Sequence, residues 1–135
     1  SLFGVGAFGE TFSATKSGKV LWRNNIQSSS RLVVSGNSAF YLSNNSLIGR
    51  INSKNGKIVF LKEFTGKRWV KYHGPLLLQN KLLVLATDKN AYWFSPVDGR
   101  LLNKEKLGKK ISSPPIVVNK RLMFVSEDGM LNILN

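Results

Sequence analysis

Short apolar runs, each broken by Gly, Asn, Ser, Asp or Pro, follow one another along the whole chain. Runs of this length bounded by turn residues read as strands, and nowhere does a helical period persist for the ~11 residues that would argue for a helix. The plan is clearest in residues 31–64. It predicts strands at 31–35, 38–42, 47–51 and 57–64, separated by the turn Gly36-Asn37, a loop at 43–46 and a hairpin turn at 53–56. Asn55-Gly56 in that last turn predicts type I′, whose two central residues both need positive φ. Residues 75–107 repeat the plan, with strands at 75–79, 82–86, 91–95 and 100–107 around the turns Asn80-Lys81 and Asp98-Gly99. Residues 114–135 start it a third time, with strands at 114–118, 121–125 and 130–134 and a turn at Asn119-Lys120, and then the given chain stops. At the other end, 2–7, 10–15 and 19–26 read as the second, third and fourth strands of a further unit.

One phrase marks the last turn of three units: Ser17-Gly18-Lys19-Val20-Leu21-Trp22, Asn55-Gly56-Lys57-Ile58-Val59-Phe60 and Asp98-Gly99-Arg100-Leu101-Leu102-Asn103. Its glycines lie 38 and 43 residues apart. A period near 40 residues with strands on both sides of each glycine marks a β-propeller or similar repeat array, in which each repeat buries its faces by stacking on its neighbours. The expectation is therefore an all-β chain. It is a β-propeller segment of four-stranded antiparallel blades, a partial ring with blades at 31–64 and 75–107 and incomplete blades at 1–30 and 114–135.

Composition changes this picture little. The 135 residues contain no Cys, which excludes disulfides, thiolate metal sites and a Cys nucleophile within them. No apolar stretch approaches the ~18 residues of a membrane-spanning helix. Ser1-Leu2-Phe3-Gly4 has neither the basic nor the long apolar region of a signal peptide, so an export signal or lipid-accepting Cys is expected upstream of the residues given. The strongest bias is charge: 20 Lys and Arg against 7 acids, a formal net charge of +13. Such a field favours anionic partners, whether nucleic acid, lipid headgroups or an acidic protein surface. Lys57, Lys62, Lys104 and Lys106 fall on fourth strands, where lysine discourages unwanted edge pairing without any ligand.

The repeated phrase resembles the quinoprotein-type β-propeller repeat, which carries Ala-x-Asp-x-x-Thr-Gly-x-x-x-Trp at the turn from third to fourth strand. Trp22 stands four residues after Gly18, as that pattern asks; Phe60 and Asn103 hold the place in the next two units. The Asp place is taken by Ala14, Asn52 and Ser95. Ser113-Pro114-Pro115 and Gly74-Pro75 resemble the family's entry into a blade. The resemblance implies that Trp22 and Phe60 are packing residues lying over a neighbouring blade. It leaves two branches: dehydrogenases that use pyrroloquinoline quinone and calcium, and non-catalytic propellers such as the outer-membrane assembly lipoproteins of the BamB type. The chain looks like a C-terminal part of the second kind. That implies a periplasmic scaffold at the outer membrane, binding a barrel-assembly component and using no cofactor. A remnant of a quinone-dependent dehydrogenase and a basic propeller that binds nucleic acid are the alternatives.

No residue set builds an enzyme site. Calcium takes six or more oxygen ligands, whereas only Asp88, Glu127 and Asp128 fall in equivalent loops. His73 is the single histidine, so a zinc site using two imidazoles cannot be built and any catalytic triad would have to use His73. It reads as an exposed loop residue. Binding residues are expected on the loops joining units, at 24–30, 65–74 and 108–113. The middle loop interleaves Lys67, Arg68 and Lys71 with Trp69 and Tyr72, and the next carries Lys109 and Lys110. Aromatic anchors beside cations suit a protein interface and also a single-stranded nucleic acid site. These seven residues are the candidate partner-binding set. Self-association of two copies to complete the ring is a further expectation.

Overall fold

In a computed structural model of the chain, the structure describes residues 2–5, 10–14, 19–27, 32–43, 47–63 and 70–134, the side chains of 2–14 and 20–27 excepted. The described residues form strands and turns only. The first sheet contains β1 (Leu2–Val5), β2 (Glu10–Ala14) and β3 (Val20–Gln27). The second contains β4 (Val33–Ser35), β5 (Ser38–Leu42), β6 (Leu47–Asn52) and β7 (Ile58–Glu63). The third contains β8 (Tyr72–Leu78), β9 (Lys81–Ala86), β10 (Asn90–Phe94) and β11 (Leu101–Lys106). The fourth contains β12 (Ile116–Val118), β13 (Arg121–Val125) and β14 (Leu131–Leu134). Each sheet is an antiparallel meander in chain order. Central strands β5 and β9 are buried on both faces, so they read as unbroken apolar runs; outer strands β7 and β11 are exposed apart from Phe60.

The turns refine the sequence reading. Gly56 has φ +74 while Asn55 is not in the left-handed region, and Gly56 N–H donates to Asn52 O at 2.8 Å. The 53–56 connection is therefore a longer loop closed by a left-handed glycine, not the expected type I′ pair. Two-residue turns with both φ positive occur instead at Gln79-Asn80 (53° and 58°) and Asn119-Lys120 (51° and 63°). The first lies one residue earlier than Asn80-Lys81. The largest difference is at β8, which begins at Tyr72 and not at 75. A register shift between His73 and Leu76 carries the strand through Gly74-Pro75. A Cβ on Gly74 would stand 2.8 Å from Leu83 O, so glycine permits the close backbone approach. Tyr72 and His73 are thus strand residues, and His73 is half-buried rather than exposed in a loop.

The chain divides into two compact units, Ser1–Thr65 with Val97–Gly99 and Gly66–Pro96 with Arg100–Asn135. In the first, Ala39, Tyr41 and Ile51 form a buried cluster with Leu32 against it. The Tyr41 ring lies across Gly49, its cross-strand partner, and fills the place a side chain would take. On the same pair of strands Arg50 Nε donates to Ser38 Oγ at 2.8 Å, and its guanidinium stands 5.9 Å from the Phe40 ring centroid. In the second unit Leu78, Leu83, Leu85 and Ala91 share one buried cluster with Ile111, Leu122 and Phe124, with Leu76, Trp93, Leu107 and Leu134 packed against it. The third and fourth sheets match residue for residue at an offset of 40: Gln79-Asn80 with Asn119-Lys120, Asp88 with Asp128, and Lys89 with Gly129.

Candidate partner-binding surface

The antiparallel registers fix which residues gather at one end of the third sheet. Tyr72 opens β8 opposite Ala86, the last residue of β9, and Asn90 opens β10 opposite Lys106, the last of β11. The tight connection from β9 to β10 is set by Asp88, whose Oδ1 accepts the Asn90 backbone N–H at 3.1 Å, while Lys89 takes φ 71. Lys71 extends the sheet by one residue: its N–H donates to Thr87 Oγ1 at 2.9 Å, and its carbonyl accepts Thr87 N–H at 2.9 Å.

On this frame the side chains form a connected group. Tyr72 and Tyr92 meet edge to face with centroids 6.1 Å apart. The Tyr92 hydroxyl donates to Asp88 Oδ2 at 2.5 Å, and Lys104 Nζ lies 5.8 Å from the Tyr92 ring centroid. Burial, followed by the Asp88 hydrogen bond and charge, pushes the Tyr92 phenol above its usual range. His73, next to Tyr72 in β8, is shifted down by burial and by the charge of Lys71, which favours the neutral ring. Lys71 itself is exposed. The group therefore presents a cation and a half-buried aromatic edge on a rigid strand end. Such a combination has the chemistry to contact an aromatic or anionic side chain.

The segment after β11 reaches the equivalent end of the fourth sheet. Ile111 bridges Ser126, and Glu127 N–H donates to Lys110 O at 2.9 Å. Lys109 pairs with Asp128 at 3.4 Å and Lys110 with Glu127 at 3.2 Å. Asp128 also accepts from Ser126 Oγ and from the Met130 N–H. These contacts, the Ser126 hydrogen bond first, hold its carboxyl below the usual range.

Of the seven residues proposed from sequence, Lys67, Arg68 and Trp69 lie outside the described residues. Tyr72 joins the Tyr92 cluster, and Lys71 precedes it as an exposed residue bonded through its backbone to Thr87. Lys109 and Lys110 stand on the next loop with acids for neighbours, so their positive field is partly offset there. In sequence Asp88 is weighed only as a cation ligand and Lys104 only as an edge lysine, and Tyr92 is passed over. Their signal was an acid two residues before Asn90 and four before Tyr92, a spacing that closes an Asx turn and lets the phenol reach back. Asp88 and Asp128 serve their own turns, and no group of three His, Cys, Asp or Glu side chains gathers among the described residues.

Comparison with known proteins places this arrangement. A family model described as outer membrane protein assembly factor BamB matches residues 5–102. The crystal structure of BamB from Moraxella catarrhalis superimposes with a TM-score of 0.69 at 19% identity, over 95% of this chain and 40% of that one. The WD40 β-propeller domain of Doa1 gives 0.67 at 17% identity, over 96% and 47%. The computationally designed Ika4 protein gives 0.73 at 12% identity, over 98% and 82%. No curated protein sequence matches the chain. The fold is that of antiparallel β-propeller blades, and the chain spans about two fifths of the BamB structure it matches.

Proposed function

Because the chain belongs to the family of the outer membrane protein assembly factor BamB, we propose that it is a non-catalytic propeller scaffold that binds a protein component of an outer-membrane barrel-assembly machine on the periplasmic side. The family match over residues 5–102 carries this reading. The Tyr72–Tyr92 pair supports it, because with Lys104 against the Tyr92 ring and exposed Lys71 next to Tyr72 in sequence it offers an aromatic anchor beside cations. The partner surface comprises Lys71 and Tyr72 with Lys67, Arg68 and Trp69 alongside in sequence, and Lys109 and Lys110 on the neighbouring loop. Cations at the rim steer the encounter, while the aromatic residues set the lifetime of the complex.

The test is co-purification of the full-length protein with barrel-assembly components, before and after Tyr72→Ala with Lys71→Ala. Loss of capture in the variant, with its thermal unfolding unchanged, is the expected result. Absence of any such component from the wild-type purification overturns the reading. Steeply salt-dependent binding to single-stranded DNA or RNA in its place would move the assignment to nucleic acid.

A further inference from the structure

The third and fourth sheets treat the cations at their equivalent ends differently. At the end of the fourth sheet Glu127 N–H donates to Lys110 O, and the two side chains pair at 3.2 Å. Thr87 N–H donates to Lys71 O in the same way at the end of the third sheet. Lys71 thus takes the place of Lys110, but Thr87 stands where the carboxylate of Glu127 stands. The neighbouring pair is changed too. Asp128 pairs with Lys109, whereas Asp88 has Val70 in the place of that lysine and accepts the Tyr92 hydroxyl instead.

The registers add three more exposed lysines at this end of the third sheet. Lys104 lies opposite Tyr92 and Lys106 opposite Asn90, so both belong to the face that carries Tyr92. Glu105 between them belongs to the other face, where Trp93 Nε1 donates to it at 3.2 Å. Lys89 sits in the β9–β10 turn, its carbonyl accepting Leu107 N–H at 2.8 Å. It holds φ 71 where the fourth sheet has Gly129 at 79. Lysine in that backbone is strained, and it puts a cation in the turn where glycine puts none. Among the described residues none of Lys71, Lys89, Lys104 and Lys106 has an acid in ion-pair contact. Residues 64–70, which lead into Lys71, contain Lys67 and Arg68 and no acid.

We propose that this end of the third sheet receives an extended, carboxylate-bearing segment of the protein partner, with alternate acidic residues on Lys104 and Lys106 and a further acid on Lys71 where Glu127 lies on Lys110. Lys104 and Lys106 are two strand residues apart, ~7 Å, which is also the spacing of alternate side chains on an extended peptide. The carboxylate chemistry has its precedent in the chain itself, in the Lys110–Glu127 pair. Tyr72 and Tyr92 give the segment an aromatic floor between the cations. The inference rests on the protein-partner reading above and names the chemistry of that partner.

The experiment is fluorescence anisotropy of the full-length protein with three labelled probes: a short peptide alternating Glu with Thr, its counterpart with Gln for Glu, and oligo-dT. The Glu peptide should bind, more weakly as salt rises, and the Gln peptide should not. Lys71→Ala with Lys104→Ala should weaken binding about fivefold. Lys89→Gly should weaken it about twofold without lowering the unfolding midpoint, which separates loss of the cation from loss of the fold. Lys81→Ala with Arg121→Ala removes as much charge from the opposite ends of β9 and β13 and should leave binding unchanged. Equal binding of the Glu and Gln peptides, an equal loss in the Lys81 and Arg121 variant, or binding of oligo-dT in preference to the Glu peptide would each overturn the proposal. Capture of barrel-assembly components that survives Lys71→Ala with Lys104→Ala would overturn it while leaving the barrel-assembly reading in place. Discrimination between the peptides without such capture would support the acidic segment and remove only that owner.

Discussion

Gly99 rests against the ring of Phe60. A Cβ built on Gly99 would stand 2.6 Å from Phe60 Cε1 and 2.8 Å from Lys62 Cγ, and its φ of +77° is one that side-chain-bearing residues avoid. The glycine of one repeat phrase therefore seats the aromatic residue at the end of the phrase before it. Phe60, only 8% exposed, is held there as packing, as the resemblance implied. Gly99→Ala should cost about 2–4 kcal/mol, combining left-handed strain with a steric collision. Gly129→Ala has the same strain at φ +79° and nothing within 4 Å of the added Cβ, so it should cost only ~1 kcal/mol. Urea unfolding of the two variants separates the terms. Equal costs would mean that Phe60 takes no part.

Lys89 offers the opposite substitution. It takes φ 71 at the position where the fourth sheet has Gly129 at 79. Lys89→Gly should stabilise the chain by about 0.5–1 kcal/mol by relieving a left-handed non-glycine residue, less the entropy that glycine brings to the unfolded state. A midpoint shifted to higher urea at constant slope is the expected outcome.

These two turns show what the sequence could and could not disclose. The strands were legible because their apolar runs end at residues with a turn preference; β5 and β13 fall on the expected residues, 38–42 and 121–125. The start of β8 was not, because Gly-Pro is a break in local terms and only the approach of Leu83 O to Gly74 shows the strand running through it. The Asn55-Gly56 turn type depended on how many residues the β6–β7 register left over, which no dipeptide encodes. Within the candidate surface, Lys71 and Tyr72 were legible as a cation beside an aromatic residue. The union of Tyr72 with Tyr92, Asp88 and Lys104 was not, since it rests on cross-strand register. The neighbours Lys109–Asp128 and Lys110–Glu127 were hidden for the same reason.

Tyr41 is fully buried, and its hydroxyl has no hydrogen-bond partner in the structure. Burial pushes the phenol above its usual range. Tyr41→Phe keeps the ring over Gly49 and removes the unsatisfied group, so stability at neutral pH should be unchanged or rise by up to about 1 kcal/mol. The sign at alkaline pH follows from linkage. The unfolded phenol ionises near pH ~10 while the folded one stays protonated, so stability is complete below that value and is lost as pH rises through it toward the folded value. Tyr41→Phe should flatten that alkaline decline; Tyr92, raised in the same direction, supplies the remainder. Unfolding curves between neutral and alkaline pH measure both effects. Marked destabilisation of Tyr41→Phe at neutral pH would mean that the hydroxyl is satisfied after all.

His73 provides a clean probe of the candidate surface, being the one histidine of the chain. Its shift is downward, from burial first and from the Lys71 charge second. A folded value depressed below the unfolded one, near 6.5, means that the folded state binds the proton less readily. The stabilisation is present above the unfolded value and is lost as pH falls toward the folded one. The proton resonance of the ring should therefore titrate below its usual midpoint. In Lys71→Ala the midpoint should move up but stay depressed, because the larger cause, burial in β8, remains. Docking of a partner on Lys71 and Tyr72 should shift the midpoint again, downward if the partner desolvates the ring and upward if it brings an acid to Lys71. A midpoint unmoved by both Lys71→Ala and a bound partner would place His73 outside the surface, and would confine the interface to the loop before β8.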